Sequence, residues 1–155
     1  MSWKKDSNGR IIGILVRIDG VDLNFVNIYA PTSRTDRKSF YESLHEYFIP
    51  ASTLVIRGDF NCYENALDKF GGNVSAGGEC KSLKSGFVLV DAWRKLHPRA
   101  REFTWFNRDY SIASRLDKFF VSKDLFTSDC QCEIAPCPFS DQYFVSFVSE
   151  IPVAV

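Results

Sequence analysis

Apolar residues recur at short spacing from Ile11 to Ile18, pause at Asp19-Gly20, and resume in strict alternation at Val21, Leu23 and Phe25. Asp-Gly between two such runs predicts a β-hairpin. The second run continues through Val26-Asn27-Ile28-Tyr29 and stops at Pro31, which has no N–H to give to a ladder. Ser33 followed by Asp36 predicts a helix N-terminus of the capping type, with an acid in place of the usual Glu. Phe40, Leu44, Tyr47 and Phe48 then recur at helical spacing until Pro50 ends the pattern. Thr53-Leu54-Val55-Ile56 shows no polar alternation, the pattern of a strand buried on both faces. It runs directly into Arg57-Gly58-Asp59-Phe60-Asn61.

Residues 64–80 are polar and glycine-rich (Gly71, Gly72, Gly77, Gly78) and read as a long loop. A short helix is expected near Leu83 and another around Asp91-Ala92-Trp93-Arg94. Strands are expected at 103–106, 116–121, 132–135 and 143–148. No repeat, low-complexity tract or linker divides the chain, so a single domain over residues 11–155 is expected after a tail at 1–10. Strands outnumber helices yet are interrupted by them, which predicts layered α/β architecture with antiparallel or mixed sheets.

Composition narrows the partners. Nineteen Lys and Arg balance nineteen Asp and Glu. Tight, non-specific nucleic-acid binding normally rests on a basic surplus, so the balance argues against it while leaving room for a nuclease with a local patch and a metal. The aromatic load of 14 Phe, 6 Tyr and 3 Trp suits a β-rich core. Five cysteines (Cys62, Cys80, Cys130, Cys132, Cys137) contain no CxxC pair, so reduced and mostly buried thiols are expected. No apolar run approaches a membrane span, and the first residues lack the apolar stretch of a signal peptide, so no membrane attachment and an intracellular location, nuclear or cytoplasmic, are expected.

Three segments place polar residues where strands end. In Gly58-Asp59-Phe60-Asn61, an Asp and an Asn two apart in extended chain would point to one side, one for a hard cation or water and the other for a phosphate oxygen. A capped turn is the alternative. In Ser114-Arg115-Leu116-Asp117, the Asp heads an apolar strand and would otherwise pair with Arg115 or cap a turn. In Ser140-Asp141-Gln142, Asp141 is an oxygen donor of the kind hard cations prefer, or part of a polar turn.

Taken in order, Asn27-Ile28-Tyr29-Ala30-Pro31, Gly58-Asp59-Phe60-Asn61, Phe103-Thr104-Trp105, Ser114-Arg115-Leu116-Asp117 and Ser140-Asp141-Gln142 resemble the endonuclease/exonuclease/phosphatase family, closest to the apurinic-endonuclease-like domain of non-LTR (LINE-type) retrotransposons. The resemblance implies a four-layer α/β/β/α sandwich with two mixed β-sheets, and Mg2+- or Mn2+-dependent hydrolysis of a phosphodiester in DNA. It implies Tyr29 beside the scissile phosphate, Asp59 orienting or deprotonating the attacking water, and Asn61 holding a phosphate oxygen. It also implies Asp141, Asp59 and Asn61 at the metal, and Asp117 orienting a catalytic histidine. Thr104, Ser114 and Arg115 join Tyr29 and Asn61 as expected substrate-binding residues. Asp91, Trp93 and Arg94 match as structural positions, with Arg94 pairing locally.

Two departures shape the functional expectation. Gln142 stands where the family has His, and neither His45 nor His97 lies in a matching motif. A neutral amide donates a hydrogen bond about half as strong as a charge-assisted one, and losing a stabilising donor of this kind costs ~10²–10³ in rate. The family's upstream segment, with its metal-binding Glu, has no counterpart in residues 1–10, so the chain is expected to be the C-terminal two-thirds of such a domain, incomplete at the N-terminus. The expectation is therefore a degenerate phosphodiesterase with little or no activity. A weakly active endonuclease, or a non-catalytic nucleic-acid or protein interaction module, are the alternatives, with self-association or a partner covering exposed strands.

Overall fold

The computed structural model describes residues 2–50, 52–72, 78–139 and 143–151. In chain order the strands are β1 (Ser2–Lys5), β2 (Ile11–Ile18), β3 (Val21–Tyr29), β4 (Thr53–Asp59), β5 (Lys69–Phe70), β6 (Leu89–Asp91), β7 (Trp105–Phe106), β8 (Ala113–Ser114), β9 (Asp117–Ser122), β10 (Gln131–Pro136) and β11 (Tyr143–Val148). The helices are α1 (Arg34–Ser43), α2 (Glu79–Phe87) and α3 (Ala92–Leu96). The principal sheet has the order β1-β2-β3-β4-β9-β6, with β10-β11 and β5-β8-β7 as smaller sheets. Only the β3–β4 pair is parallel; the other described pairs are antiparallel.

Alternation along the central strands divides the core. Val26, Ile28, Leu54, Ile56 and Phe120 face one side, where Tyr41 and Leu44 from the α1 segment and Cys80 and Leu83 of α2 cover them. Leu23, Val55 and Val121 face the other, against Trp93 of α3 and Cys132, Ile134, Val145 and Phe147 of β10 and β11. The principal sheet therefore lies between a helical layer and a layer of α3 with a second sheet. This is a mixed α/β fold with several sheets.

The Asp19-Gly20 turn forms as expected, with both residues at positive φ (50° and 83°) and Ile18 opposite Val21. Gly58 is required at its position: at φ 129° an added Cβ would meet the Ile28 carbonyl oxygen at 2.0 Å. That close approach seats β4 against β3 just before Asp59.

Several elements depart from the sequence expectation. The expected tail contains an edge strand, since β1 pairs along β2 with Ser2 opposite Leu15. The turn before β2 is closed by the Asp6 carboxylate, which accepts N–H groups from Asn8, Arg10 and Ile11. The first helix ends at Ser43 and tightens into a 3₁₀ turn at Leu44–Tyr47. The glycine-rich loop contains a 3₁₀ turn at Ala66–Asp68 followed by β5. The strand expected at 103–106 shortens to Trp105–Phe106, because the Thr104 side chain is committed to the turn before β9. Among the described residues no helix is long and apolar enough to cross a membrane.

Candidate functional site

Strand register brings distant residues into one row. Tyr29 at the end of β3 is the partner of Asp59 at the end of β4, and Asp59 is the partner of Asp117 at the start of β9. Register partners project to the same face of a sheet. By strand parity that face is the one carrying Leu23, Val55 and Val121, toward α3 and the β10–β11 layer. Arg10 extends the row by one strand, since its carbonyl accepts the Tyr29 N–H at 2.8 Å. Its guanidinium donates to the Tyr29 carbonyl at 3.1 Å and lies 5.1 Å from the centre of the half-exposed Tyr29 ring.

Asn61 does not continue the strand. It adopts a left-handed conformation (φ 45°), and its N–H donates to Asp59 Oδ1 at 2.7 Å. Its side-chain amide donates to the Ala30 carbonyl at 2.7 Å. The extended geometry expected for Asp59 and Asn61 is thus replaced by an Asx-type turn, which asparagine tolerates in the left-handed region. The turn still ties both residues to the Tyr29-Ala30 segment.

Both row carboxylates are pushed above the ordinary aspartate range. For Asp59 the main cause is burial, opposed by the Asn61 N–H and by the charges of Lys118 and Arg37. For Asp117 it is again burial, strengthened by Asp59 and opposed by a hydrogen bond with Thr104. Neither makes an ion pair among the described residues. Two adjacent, partly buried like charges are a setting in which a cation is favoured.

Thr104 and Arg115 turn out to be scaffold rather than surface. Thr104 is fully buried, and its hydroxyl oxygen accepts the N–H groups of Leu116 (3.0 Å) and Asp117 (3.1 Å). It positions Asp117 from below. Ser114 is buried within β8. Arg115 is 1% exposed; Nε donates to Asp68 at 2.8 Å and Nη2 to Asp91 at 2.7 Å. The side chains of Thr104 and Arg115, expected at the substrate, hydrogen-bond within the interior, and Ser114 is buried beside them. Arg94 pairs with the distant Asp68 at 2.6 Å as well as with nearby carbonyls, so its pairing is not merely local. Burial would raise the Asp68 carboxyl, but the Arg115 charge and hydrogen bonds from Arg115 and Arg94 hold it down to about 2. Ser140, Asp141 and Gln142 lie outside the described residues.

Sequence reasoning missed three cations around the row. Arg10, against Tyr29, is one. Arg37 on α1 donates to the carbonyls of Pro31 (3.2 Å) and Thr32 (2.6 Å) and acts on Asp59 through space. Lys118 is buried beneath the row, with Nζ donating to the carbonyls of Cys62 and Arg115. The one signal available for Lys118 was its position in an alternating strand, where it takes the parity of buried Phe120. No group of three or more His, Cys, Asp or Glu side chains converges among the described residues.

The fold recurs in solved structures. The chain is similar to an AP endonuclease from Archaeoglobus fulgidus, with a TM-score of 0.69, 19% identity, and coverage of 94% of this chain and 66% of that one. It is similar to a 3'-5' exonuclease (NExo) from Neisseria meningitidis, with a TM-score of 0.70, 17% identity, and coverage of 94% and 67%. The chain has the endonuclease/exonuclease/phosphatase fold. The APE2 catalytic domain from Xenopus laevis shares that fold at a TM-score of 0.62 and 19% identity, covering 91% of this chain and 56% of that one. No protein-family model matches the chain. Among curated proteins it is 35% identical over 148 residues to the transposon TX1 uncharacterized 149 kDa protein of Xenopus laevis, covering 89% of this chain. The chain spans 11% of that protein's length, so it is related to one segment of a transposon-encoded protein.

Proposed function

We propose that this endonuclease/exonuclease/phosphatase-fold chain carries a phosphodiesterase site directed at DNA whose catalysis is weak or lost. The observation that carries the reading is the cross-strand row Tyr29–Asp59–Asp117, with Asn61 hydrogen-bonded to it. In this reading Asp59 orients or deprotonates the attacking water, and its raised affinity for a proton suits a general base. Tyr29 flanks the phosphate from its half-exposed position, and Asn61 holds a phosphate oxygen. Thr104 holds Asp117 in place, and Asp117 orients the residue at position 142. The neighbouring NExo structure bound to a product DNA hairpin supports DNA as the substrate class.

The donor set suits a hard divalent cation: Asp59 and Asp117 present adjacent carboxylates without ion-pair partners among the described residues, and Mg2+ is commonly held by one or two carboxylates plus water and phosphate. Asp59, Asn61 and Asp141 would hold it, with Asp117 beside them. When bound, Mg2+ or Mn2+ supplies electrostatic stabilisation of the phosphate's developing charge. The attenuation follows from Gln142, whose neutral amide replaces a titratable ring and lowers the rate by ~10²–10³.

Nicking of supercoiled plasmid with Mg2+ or Mn2+ tests the reading, with Asp59→Ala as the matched control. Slow nicking that disappears in Asp59→Ala supports both the site and its attenuation. Fast nicking that disappears would uphold the site and refute the attenuation. Nicking equal in both proteins would refute the site.

A second reading has its own observation. Among the described residues β11 has a partner on one side only, and its Tyr143, Phe144 and Val148 are exposed. Such an edge favours pairing with another chain, and sedimentation equilibrium distinguishes a monomer from a self-associating or partner-seeking module.

A further inference from the structure

Asn8-Gly9 is the one Asn-Gly step in the chain. Both residues are exposed in the turn between β1 and β2. Asp6 organises that turn through the backbone: Oδ1 accepts the N–H groups of Arg10 at 2.7 Å and Ile11 at 2.8 Å, and Oδ2 accepts that of Asn8 at 3.3 Å. The Asn8 side-chain amide is left without a hydrogen bond among the described residues, and so is the Gly9 N–H. A Cβ added at Gly9 would meet nothing within 4 Å, so the chain there is uncrowded. Asn8 differs in this from the other described asparagines. Asn24, Asn61, Asn65 and Asn107 each commit the side-chain amide to a hydrogen bond, and Asn27 precedes the buried, β-branched Ile28.

We propose that Asn8 is a site of spontaneous deamidation, through a succinimide formed with Gly9. The Gly9 nitrogen gives its proton to solvent base and attacks Asn8 Cγ. A C–N bond forms, the bond from Cγ to the side-chain nitrogen breaks, and that nitrogen takes up a proton and leaves as ammonia. Water then opens the ring at either carbonyl. Opening at Cγ yields aspartate; opening at the backbone carbonyl yields isoaspartate, with the main chain now running through the side-chain carbon. The sum is one asparagine and one water giving one acid and one ammonia. No electrons change hands, and water is the only co-reactant.

Either product sets a new carboxylate beside that of Asp6, and like charges at close range oppose each other. Isoaspartate also lengthens the main chain by one carbon between the Asn8 and Arg10 N–H groups that Asp6 holds. Arg10 carries the change onward: its carbonyl accepts the Tyr29 N–H at 2.8 Å, and its guanidinium lies 5.1 Å from the Tyr29 ring centre. The modification therefore acts at the Tyr29 end of the row. The chemistry at Asn8 does not depend on the phosphodiesterase reading; its consequence for the site does.

The test ages the full chain in mildly alkaline buffer made with heavy-oxygen water, then maps its peptides by mass spectrometry with fragmentation that separates aspartate from isoaspartate. The expected result is loss of the amide at Asn8, with both acids formed and one heavy oxygen in each. Asn24, Asn61, Asn65 and Asn107 should keep their amides over the same period. Asn8→Gln, whose longer side chain closes a larger and slower ring, should stay intact. The map of the unaltered chain decides the matter even if that variant folds poorly. An intact Asn8 would overturn the proposal, as would loss of the amide at Asn107 or Asn65 before Asn8. Aspartate with no isoaspartate would overturn it too, since direct hydrolysis passes through no ring. Failure here would leave the plasmid-nicking outcome untouched.

Discussion

Replacing Arg115 by Met removes one guanidinium from the most deeply buried ion-pair group among the described residues. Met preserves much of the volume above Trp93, whose ring centre lies 5.1 Å from the Arg115 guanidinium. It leaves Asp91 with no side-chain ion-pair partner among the described residues and Asp68 with Arg94 alone. Removing one partner of a buried ion pair costs about 3–5 kcal/mol, because the remaining charge is neither solvated nor compensated. Domains are stable by only about 5–15 kcal/mol, so the loss is a large fraction of the total. The pH dependence gives an internal check. The folded Asp68 carboxyl is depressed to about 2, so its contribution is fully present above the unfolded carboxyl range and is lost as pH falls toward 2. In Arg115→Met that depression weakens, so the gap between the two proteins should narrow between pH 7 and pH 3. Urea unfolding at both pH values, followed by tryptophan fluorescence, measures the gap. A loss under about 1 kcal/mol at pH 7, or a loss independent of pH, would refute the assignment of Arg115 as a structural cation.

Other substitutions address the row. Asp117→Asn removes a carboxylate whose ionisation burial and Asp59 both disfavour. Because the folded group titrates above its unfolded range, the penalty is absent in acid and complete at neutral pH; Asn should raise the melting temperature at pH 7 but not at pH 3, and an equal or lower value at pH 7 contradicts this. Thr104→Val keeps the shape but removes the acceptor for the Leu116 and Asp117 N–H groups. Each unsatisfied buried group costs about 1–3 kcal/mol, so denaturant unfolding should show a loss of at least about 1 kcal/mol, and a neutral result would show that the hydroxyl is dispensable.

The parts of the fold that local chemistry determines were legible in the chain. Asp19-Gly20 defines its hairpin because a two-residue turn needs positive φ at both positions, and Thr53 to Ile56 reads as a central strand because both faces are covered. β1 left no pattern to read, since all four of its residues are exposed and it is held by ladder bonds and the Asp6 turn. Asp59, Asp117 and Tyr29 were readable as candidates, but their alignment comes from strand register, which spacing alone does not provide. Arg115 was assigned to substrate from the motif resemblance, which carries no information about its ion-pair partners. Its partners, Asp68 and Asp91, lie 47 and 24 residues away, one of them in a glycine-rich loop with no apparent role. Asn61 was placed by a strand rule that its left-handed turn does not obey.

The most direct measurement of the central claim is the Mn2+-dependent nicking rate of Gln142→His beside the unaltered chain and beside Gln142→His/Asp59→Ala. If an amide stands where a titratable ring is needed, His should raise the rate by up to ~10²–10³, and Asp59→Ala should remove the gain. Equal rates for Gln142→His and the unaltered chain, or a gain that survives loss of the Asp59 carboxylate, would contradict the account.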